Sequence, residues 1–367
     1  METKLLTTPL FLKHQQLHAQ IAPFSGWSMP IQYEGILAEH VWTRTNASVF
    51  DICHMGEFLL TGTFSESGLD KVVTMRLDDM VDGECRYGFM LNKKAGIIDD
   101  LVVYRIAVDQ WMLVVNAGTT PNDEANLRKN LTAHCRVENI SNETAKLDVQ
   151  GPLARKVLEE LVGRDVRRLA YYRFSHFHLL GEHVLVSRTG YTGELGYEIY
   201  ITASKAEELW DLILKNPGVK PAGLGCRDTL RLEMCYPLYG HDIDEVHNPL
   251  EAGLGRFVYF GKEFIGSQEL MKIFQAGPQR RMAFFKADSR RAPRQGYAIR
   301  MQGKDVGVVT SGSFSPSLSC GIAMGYVESE WCRVGLEATL AGASAEISST
   351  SVEKPFYKRG SARSEGV

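Results

Sequence analysis

Two adjacent carboxylates sit in the stretch Gly96-Ile-Ile-Asp-Asp-Leu-Val-Val-Tyr-Arg105, and an acidic pair opening an apolar run is a candidate for proton chemistry. Leu101 to Tyr104 read as a buried strand, and an alternating strand follows at Trp111 to Asn116. Successive side chains leave a strand on opposite faces. Asp99 and Asp100 are therefore expected to diverge, one solvated at the turn and one aimed inward. An inward carboxylate can accept a proton or stabilise developing positive charge; the plain alternative is a strand-end cap after a glycine turn. His176 and His178 share one face of another strand, but no third ligand is evident and a metal site is not expected. The cysteines at 53, 85, 135, 226, 235, 320 and 332 include no Cys-x-x-Cys pair and read as buried free thiols in a reducing compartment.

The elements that must position such groups are short. Thr120-Pro121 opens a helix with Asp123 and Glu124 near its positive end. Pro152 suits a first helical position before Leu153, Val157, Leu158 and Leu161. Ser204-Lys-Ala-Glu207 reads as a capping box ahead of Leu209, Trp210, Ile213 and Leu214. Between these helices lie EFLLTG, LVVYRI, WMLVVN, AKLDVQG, HVLVSRTG and YEIYIT, which mostly alternate as antiparallel strands do. No Gly-x-Gly-x-x-Gly follows a strand and no phosphate-binding Gly-Lys-Ser/Thr loop occurs, so an antiparallel α+β fold is expected over a nucleotide-binding one. After Ala276-Gly277-Pro278 the texture changes to short strands with Gly and Ser turns, which predicts an all-β barrel or jelly roll over 280–360, with residues 1–276 forming the α+β region.

The 367 residues suffice for two or three domains. A net charge of −3 offers no footprint for nucleic acid or an anionic membrane, and no apolar run approaches the ~20 residues of a membrane span. The N-terminal METKLLTTPLFLKHQQL has neither a signal-peptide core nor a transit pattern, which predicts a soluble, cytoplasmic protein.

Several segments together resemble one family. They are TPLFLKHQQL, PFSGWSMPIQY, VFDICHMGEFLLTG, RYGFMLNKKAGIIDDLVVYR, SRTGYTGELGYEIY, PAGLGCRDTLRLE, YGHDIDEVHNPLEAGLG, TSGSFSPSL and KPFY, in family order from about Thr8 to Tyr357. The family is that of the aminomethyltransferases, the T-proteins of the glycine cleavage system. The resemblance implies a three-domain cloverleaf around a tetrahydrofolate site, with no metal. It implies that an aminomethyl group is taken from the lipoyl arm of H-protein, that ammonia leaves, and that 5,10-methylenetetrahydrofolate forms. Glycine decarboxylase (P-protein) and dihydrolipoyl dehydrogenase (L-protein) are the implied system partners.

Matched to the family's motifs, Asp100 is the implied catalytic carboxylate and Asp99 its structural neighbour. Glu198 is implied to bind the pterin, whose N3–H and 2-amino group present adjacent donors to a carboxylate. Tyr191 would supply a flat wall, with glycines beside it allowing close backbone approach to the ligand. Arg227 would meet a pterin oxygen or a folate carboxylate, while Arg231 is the expected structural ion-pair partner of the same helix. Tyr87, Asn116 and Tyr171 match folate-pocket positions, as do Met55 and Tyr357. Arg256 departs from the aromatic that many family members carry at that point. A folate-dependent demethylase and a non-catalytic folate-binding protein are the alternatives, and the YGHDIDE and PLEAGLG blocks favour the T-protein.

Overall fold

A computed structural model of the chain describes residues 4–343 and 345–364. Two sheets face each other. Their frame begins with strands β1 (Ala47–Asp51), β2 (Gly56–Thr61), β3 (Glu84–Leu91), β4 (Ile97–Ala107) and β5 (Gln110–Val115), followed by helix α1 (Thr120–Asn130). Strands β6 (Thr144–Gln150) and β7 (Gly196–Thr202) and helix α2 (Leu224–Glu233) complete the frame. One sheet runs β3-β4-β5-β2 and ends on Arg136–Asn139. The other runs from Phe174–Leu179 through Glu182–Ser187 to β7, β6, β1 and Val219–Pro221. Pairing is antiparallel throughout both, except the short parallel edge at Val219–Pro221. A third, small sheet joins Leu6–Thr7, Trp27–Gln32 and Gln20–Phe24.

Each large sheet packs its outer face on helices. Leu147, Val149, Tyr197, Ile199 and Ile201 meet helices Ala154–Val162 and Ala206–Leu214 in one core. Phe58, Leu60, Leu101, Val103, Trp111 and Leu113 build a second core with Leu127 of α1. The inner faces meet through a smaller cluster that includes Tyr104, Met112, Val114, Leu185 and Tyr200. Sandwiched sheets have no wet side, so the alternation expected of β5 and β6 is lost: both are buried on both faces over nearly their whole length. Strand β4 does alternate, between buried and half-buried residues, because only one of its faces is fully covered.

Two local expectations fail at helix starts. The Ser204–Glu207 capping box does not form, because Ala203–Lys205 is a turn of 3₁₀ helix pinned by the Ala203 N–H to Glu143 O (2.8 Å). Pro152 lies two residues ahead of the first helical residue, in the turn closed by Ala154 N–H to Gly151 O (2.9 Å). Pro121 does stand in the first turn of α1.

The chain beyond Ala276 forms a closed barrel of Arg280–Ala287, Cys320–Glu328, Lys304–Ser315, Ala298–Met301, Glu337–Ala341 and Glu346–Ser351. Arg231 of α2 ties the body to it, bonding Asp242 (2.7 Å) and Ser311 of the barrel (2.9 Å), as well as Asp228 (2.8 Å). All seven cysteines are unpaired, five of them buried. No helix among the described residues is long and apolar enough to cross a membrane.

Candidate active site

The register of the sheets decides which residues face the space between them. Asp100 lies opposite Phe89, and Tyr87 opposite Val102, so Asp100 and Tyr87 share the inner face of the first sheet. Asp148 lies opposite Glu198, and Lys146 opposite Tyr200, so these four share the inner face of the second. Tyr104 and Tyr200 bridge the two sheets hydroxyl to hydroxyl at 2.9 Å.

The alternation of the two aspartates holds, but neither is solvated. Asp99 lies opposite Met90 and points to the core beside α1, with no exposed surface. Asp100 is half-buried and points to the opposite face, towards Tyr87 and the second sheet. The expected solvated partner is absent because both faces of β4 are covered. Asp100 Oδ2 accepts from Tyr87 Oη (2.9 Å) and Oδ1 from Asn116 Nδ2 (2.8 Å). Burial, then the adjacent Asp99, pushes the Asp100 carboxyl up to about 7, against those two hydrogen bonds. Gly96 sets the start of the strand: a Cβ there would lie 1.8 Å from Glu245 O. Without one, Ile97 N–H reaches Asp244 O (2.9 Å) and Tyr239 Oη donates to Ile97 O (3.2 Å), clamping the 239–247 loop over the strand end.

On the second sheet, Glu198 is buried beside Lys146 Nζ (3.0 Å) and accepts from Tyr200 Oη (3.1 Å), both on Oε2. Burial alone would raise its carboxyl; Lys146, with Arg227 and Tyr200, outweighs that and holds it below the ordinary value. Arg227 of α2 donates to Asp148 Oδ2 (2.6 Å), while its guanidinium lies 5.0 Å from the Tyr191 ring centre. Tyr104, on the Asp100 face of β4, bonds Tyr200, on the Glu198 face of β7, so the two groups of side chains face each other. Tyr191 stacks on Tyr236 at 5.8 Å and 24°, and its hydroxyl donates to Pro237 O.

The structure thus brings together Asp100, Tyr87, Asn116, Glu198, Arg227 and Tyr191. Met55 joins them through its sulfur, 3.7 Å from Lys146 Nζ. Tyr171 stands at the margin, edge-on to Tyr172 and under Arg363. Tyr357 lies in a neighbouring network, 4.1 Å beneath the Arg44 guanidinium, which pairs with Glu194 and Glu233. The glycines flanking Tyr191 serve packing, not a ligand: Gly190 makes room for Gln150, whose amide a Cβ would meet at 2.3 Å, and Gly193 for Met234. Arg256 is exposed and folds over Phe257 at 4.6 Å. His176 and His178 are exposed, His178 against His183, and no cluster of three metal-ligating side chains occurs among the described residues.

Sequence reasoning missed Lys146, Asp148, Glu57 and Tyr236. A signal existed in AKLDVQ, where Lys146, Asp148 and Gln150 recur every second residue between apolar ones: a polar stripe on a strand buried on both faces. Glu57 is buried with one oxygen unpartnered, and burial pushes its carboxyl up to about 8.

Facing sheets with an ionisable interior and a closed barrel are the architecture of the glycine cleavage T-protein family, to which this chain belongs. Residues 10–262 match the GCVT N-terminal domain, and residues 280–358 match the glycine cleavage T-protein C-terminal barrel domain. The chain is 44% identical over 353 residues to an aminomethyltransferase of Halothermothrix orenii, covering 95% of this chain and 99% of that one. It is 40% identical over 360 residues to an aminomethyltransferase of Desulforamulus reducens, with 97% and 99% covered. Its fold superposes on the glycine cleavage system aminomethyltransferase T from Bartonella henselae with a TM-score of 0.92 at 33% identity, over 98% of this chain and 99% of that one. The chain is an enzyme of the aminomethyltransferase type.

Proposed function

We propose that this enzyme moves a one-carbon unit from the aminomethylated lipoyl arm of H-protein to tetrahydrofolate. The observation that carries the reading is Asp100, a half-buried carboxyl held on both oxygens, raised to about 7, and opposite Glu198, Arg227 and Tyr191. The side chains grouped around Asp100 suit a reduced pterin. Tyr191 and Tyr236 offer flat faces, and Glu198 keeps its protein partners on Oε2, so Oε1 is available to the adjacent pterin donors. Arg227, anchored by Asp148, holds a cation where a pterin oxygen or folate carboxylate would come.

In the balanced reaction the carbon–sulfur and carbon–amine bonds break and two carbon–nitrogen bonds to folate form. Two hydrogens leave the folate nitrogens; one completes ammonia and the other the lipoyl thiol. The folate nitrogens supply the nucleophiles. Asp100 accepts a hydrogen bond from the reacting N–H and stabilises positive charge on the nitrogen as it is attacked. Its elevated pKa suits proton exchange near neutral pH. Tyr87 and Asn116 fix the carboxylate plane, and the aromatic walls limit water around the transferring carbon.

The test is to incubate the enzyme with aminomethylated lipoyl carrier, with and without tetrahydrofolate, and follow ammonia and methylenetetrahydrofolate. Stoichiometric formation of both, dependent on folate, is expected. Failure to form either from the loaded carrier, with turnover of a free methylated amine instead, would replace this reading with a demethylase.

A further inference from the structure

Behind Asp100 lies a carboxyl that the reaction does not use. Asp123 stands in the first turn of α1, where the helix dipole favours a carboxylate. Yet it is wholly buried, and neither oxygen receives a hydrogen bond from an N–H or hydroxyl group. The nearby Thr119 hydroxyl gives its hydrogen to Asn116 O (2.9 Å). Within hydrogen-bonding reach of Asp123 is the carboxyl of Asp99, itself without exposed surface.

Asp99 is fully engaged on its other side. Its Oδ2 accepts from Asn116 N–H (2.9 Å) and its Oδ1 from Asn116 Nδ2 (2.8 Å). That same Nδ2 reaches Asp100 Oδ1 at 2.8 Å and Asp100 O at 3.1 Å, so two amide hydrogens serve three acceptors. Asp123, Asp99 and Asp100 therefore stand in series. The other titratable groups around Asp99 and Asp123 are acids too, Tyr239, Asp244 and Glu245 from the clamping loop, while Asp100 has Tyr87 beside it and Tyr191 and the Arg227 cation on its far side. Two carboxyls in contact, dry and without a cation, cannot both ionise. Burial and then Asp123 push Asp99 well above the carboxylate range, and burial pushes Asp123 up to about 7.

We propose that Asp123 and Asp99 hold one proton between them, and that this shared proton fixes Asp100 through Asn116, making Asp123 a positioning residue for the transfer reaction. With the hydrogen held between Asp123 and Asp99, both Asp99 oxygens still accept from the two Asn116 donors. The Asn116 amide then cannot flip, because a flip would set its carbonyl against two carboxylate oxygens. Asp100 is presented in one orientation, with the single charge of the pair behind it. The inference rests on the reading of Asp100 as the reacting carboxylate.

The first measurement uses the wild-type enzyme. Infrared spectra with ¹³C-labelled aspartate should show a protonated carboxyl band that persists well above the titration of Asp100 and disappears in Asp123→Asn. Absence of that band in the folded wild type overturns the proposal. The second compares two variants by single-turnover ammonia release against pH. Asp123→Leu removes the partner, so Asp99 takes the proton alone and its charge is lost. We expect a roughly tenfold slower step and an acid limb lowered by about one pH unit, with folate KM unchanged. Asp123→Asn, whose N–H replaces the shared proton, should restore rate and pH profile to within about threefold. If the leucine variant folds and keeps the wild-type pH profile, Asp123 is packing alone and the proposal falls. If that variant does not fold, the infrared band decides. Full activity of Asp100→Asn would remove the reading of Asp100 with the band still present, so the two failures are distinguishable.

Discussion

Asp100→Asn isolates charge from shape. The amide fits the observed contacts in one orientation: its carbonyl accepts from Asn116 Nδ2, and its NH₂ faces the Tyr87 oxygen, which can accept. The Tyr87 hydroxyl loses its acceptor, at a cost of about 1–3 kcal/mol, so folding should survive with a modest loss. The chemical step loses a carboxylate that stabilises positive charge in a dry site, a loss of roughly 10²–10⁴ in rate, or about 3–5 kcal/mol of barrier. At alkaline pH stability should move the other way. The folded carboxyl titrates at about 7, against an unfolded value near 3.8. The native state therefore holds the proton longer, and the carboxyl's contribution is full below about pH 4 and lost as pH rises through 7. At about pH 8 the wild type bears an ionisation cost of at most ~4 kcal/mol that the asparagine variant escapes. The assay is single-turnover ammonia release with saturating carrier and folate, paired with thermal melts at acidic and mildly alkaline pH. A variant at least as stable as wild type at alkaline pH, yet slowed a hundredfold or more, is the expected result. Its rate should also lack the wild-type fall below about pH 7. A near-normal rate would refute the assignment of Asp100; a large loss of stability would mean that the hydrogen-bond accounting is wrong.

Glu198→Gln turns a carboxylate oxygen into a donor facing pterin donors, and also leaves Lys146 without its anion; folate affinity should fall by ~1–3 kcal/mol in calorimetry. Glu57→Gln should flatten the pH dependence of stability between about pH 4.5 and 8, because its carboxyl is raised from 4.5 to about 8 and its protonated form favours the native state until that pH is passed; unchanged melting curves across that range would show that Glu57 is solvated. The exposed Arg280, Arg281, Lys286, Arg290, Arg291 and Arg294 give the leading edge of the barrel a basic face, and we expect it to meet an acidic carrier. Reversing Arg290 and Arg291 should raise the carrier KM, and added salt should do the same to the wild type; a KM flat in both tests would place docking elsewhere.

Much of the site was legible because its residues stand in motifs read as one-dimensional patterns. Asp100 and Glu198 are on strands whose boundaries the alternation located well, and the barrel announced itself through Gly and Ser turns after Gly277. Arg231 pairs with Asp228 and Asp242, and Arg227 with Asp148 on the inner face of the second sheet. What escaped depends on contact between distant segments. Lys146 and Asp148 become site residues only when their strand is set between two others and faced by another sheet. The glycines beside Tyr191 looked like room for a ligand, yet Gln150 and Met234, 40 or so residues away on either side, fill that room. Periodicity along a chain does not report which side chain occupies a gap.

The two aspartates show what alternation can and cannot say. It correctly separates their faces, because the pleat is local. It cannot say that both faces are interior, since that follows from α1 covering one side of β4 and the second sheet covering the other. That difference changes the chemistry. A solvated Asp99 would ionise freely and screen itself with water, contributing little to its neighbour. A buried Asp99 cannot, and it bonds the same Asn116 amide that holds Asp100. Asp99 therefore acts on Asp100 in two ways: the charge it shares with Asp123 raises Asp100 toward neutrality, and its hydrogen bonds hold the amide that orients Asp100. Replacing Asp99 should thus disturb turnover as well as stability, by less than replacing Asp100. The rate effect of Asp99→Asn should shrink at alkaline pH, where Asp100 is ionised with or without its neighbour. A loss that is constant across pH would leave orientation, and not charge, as the way Asp99 reaches the reaction.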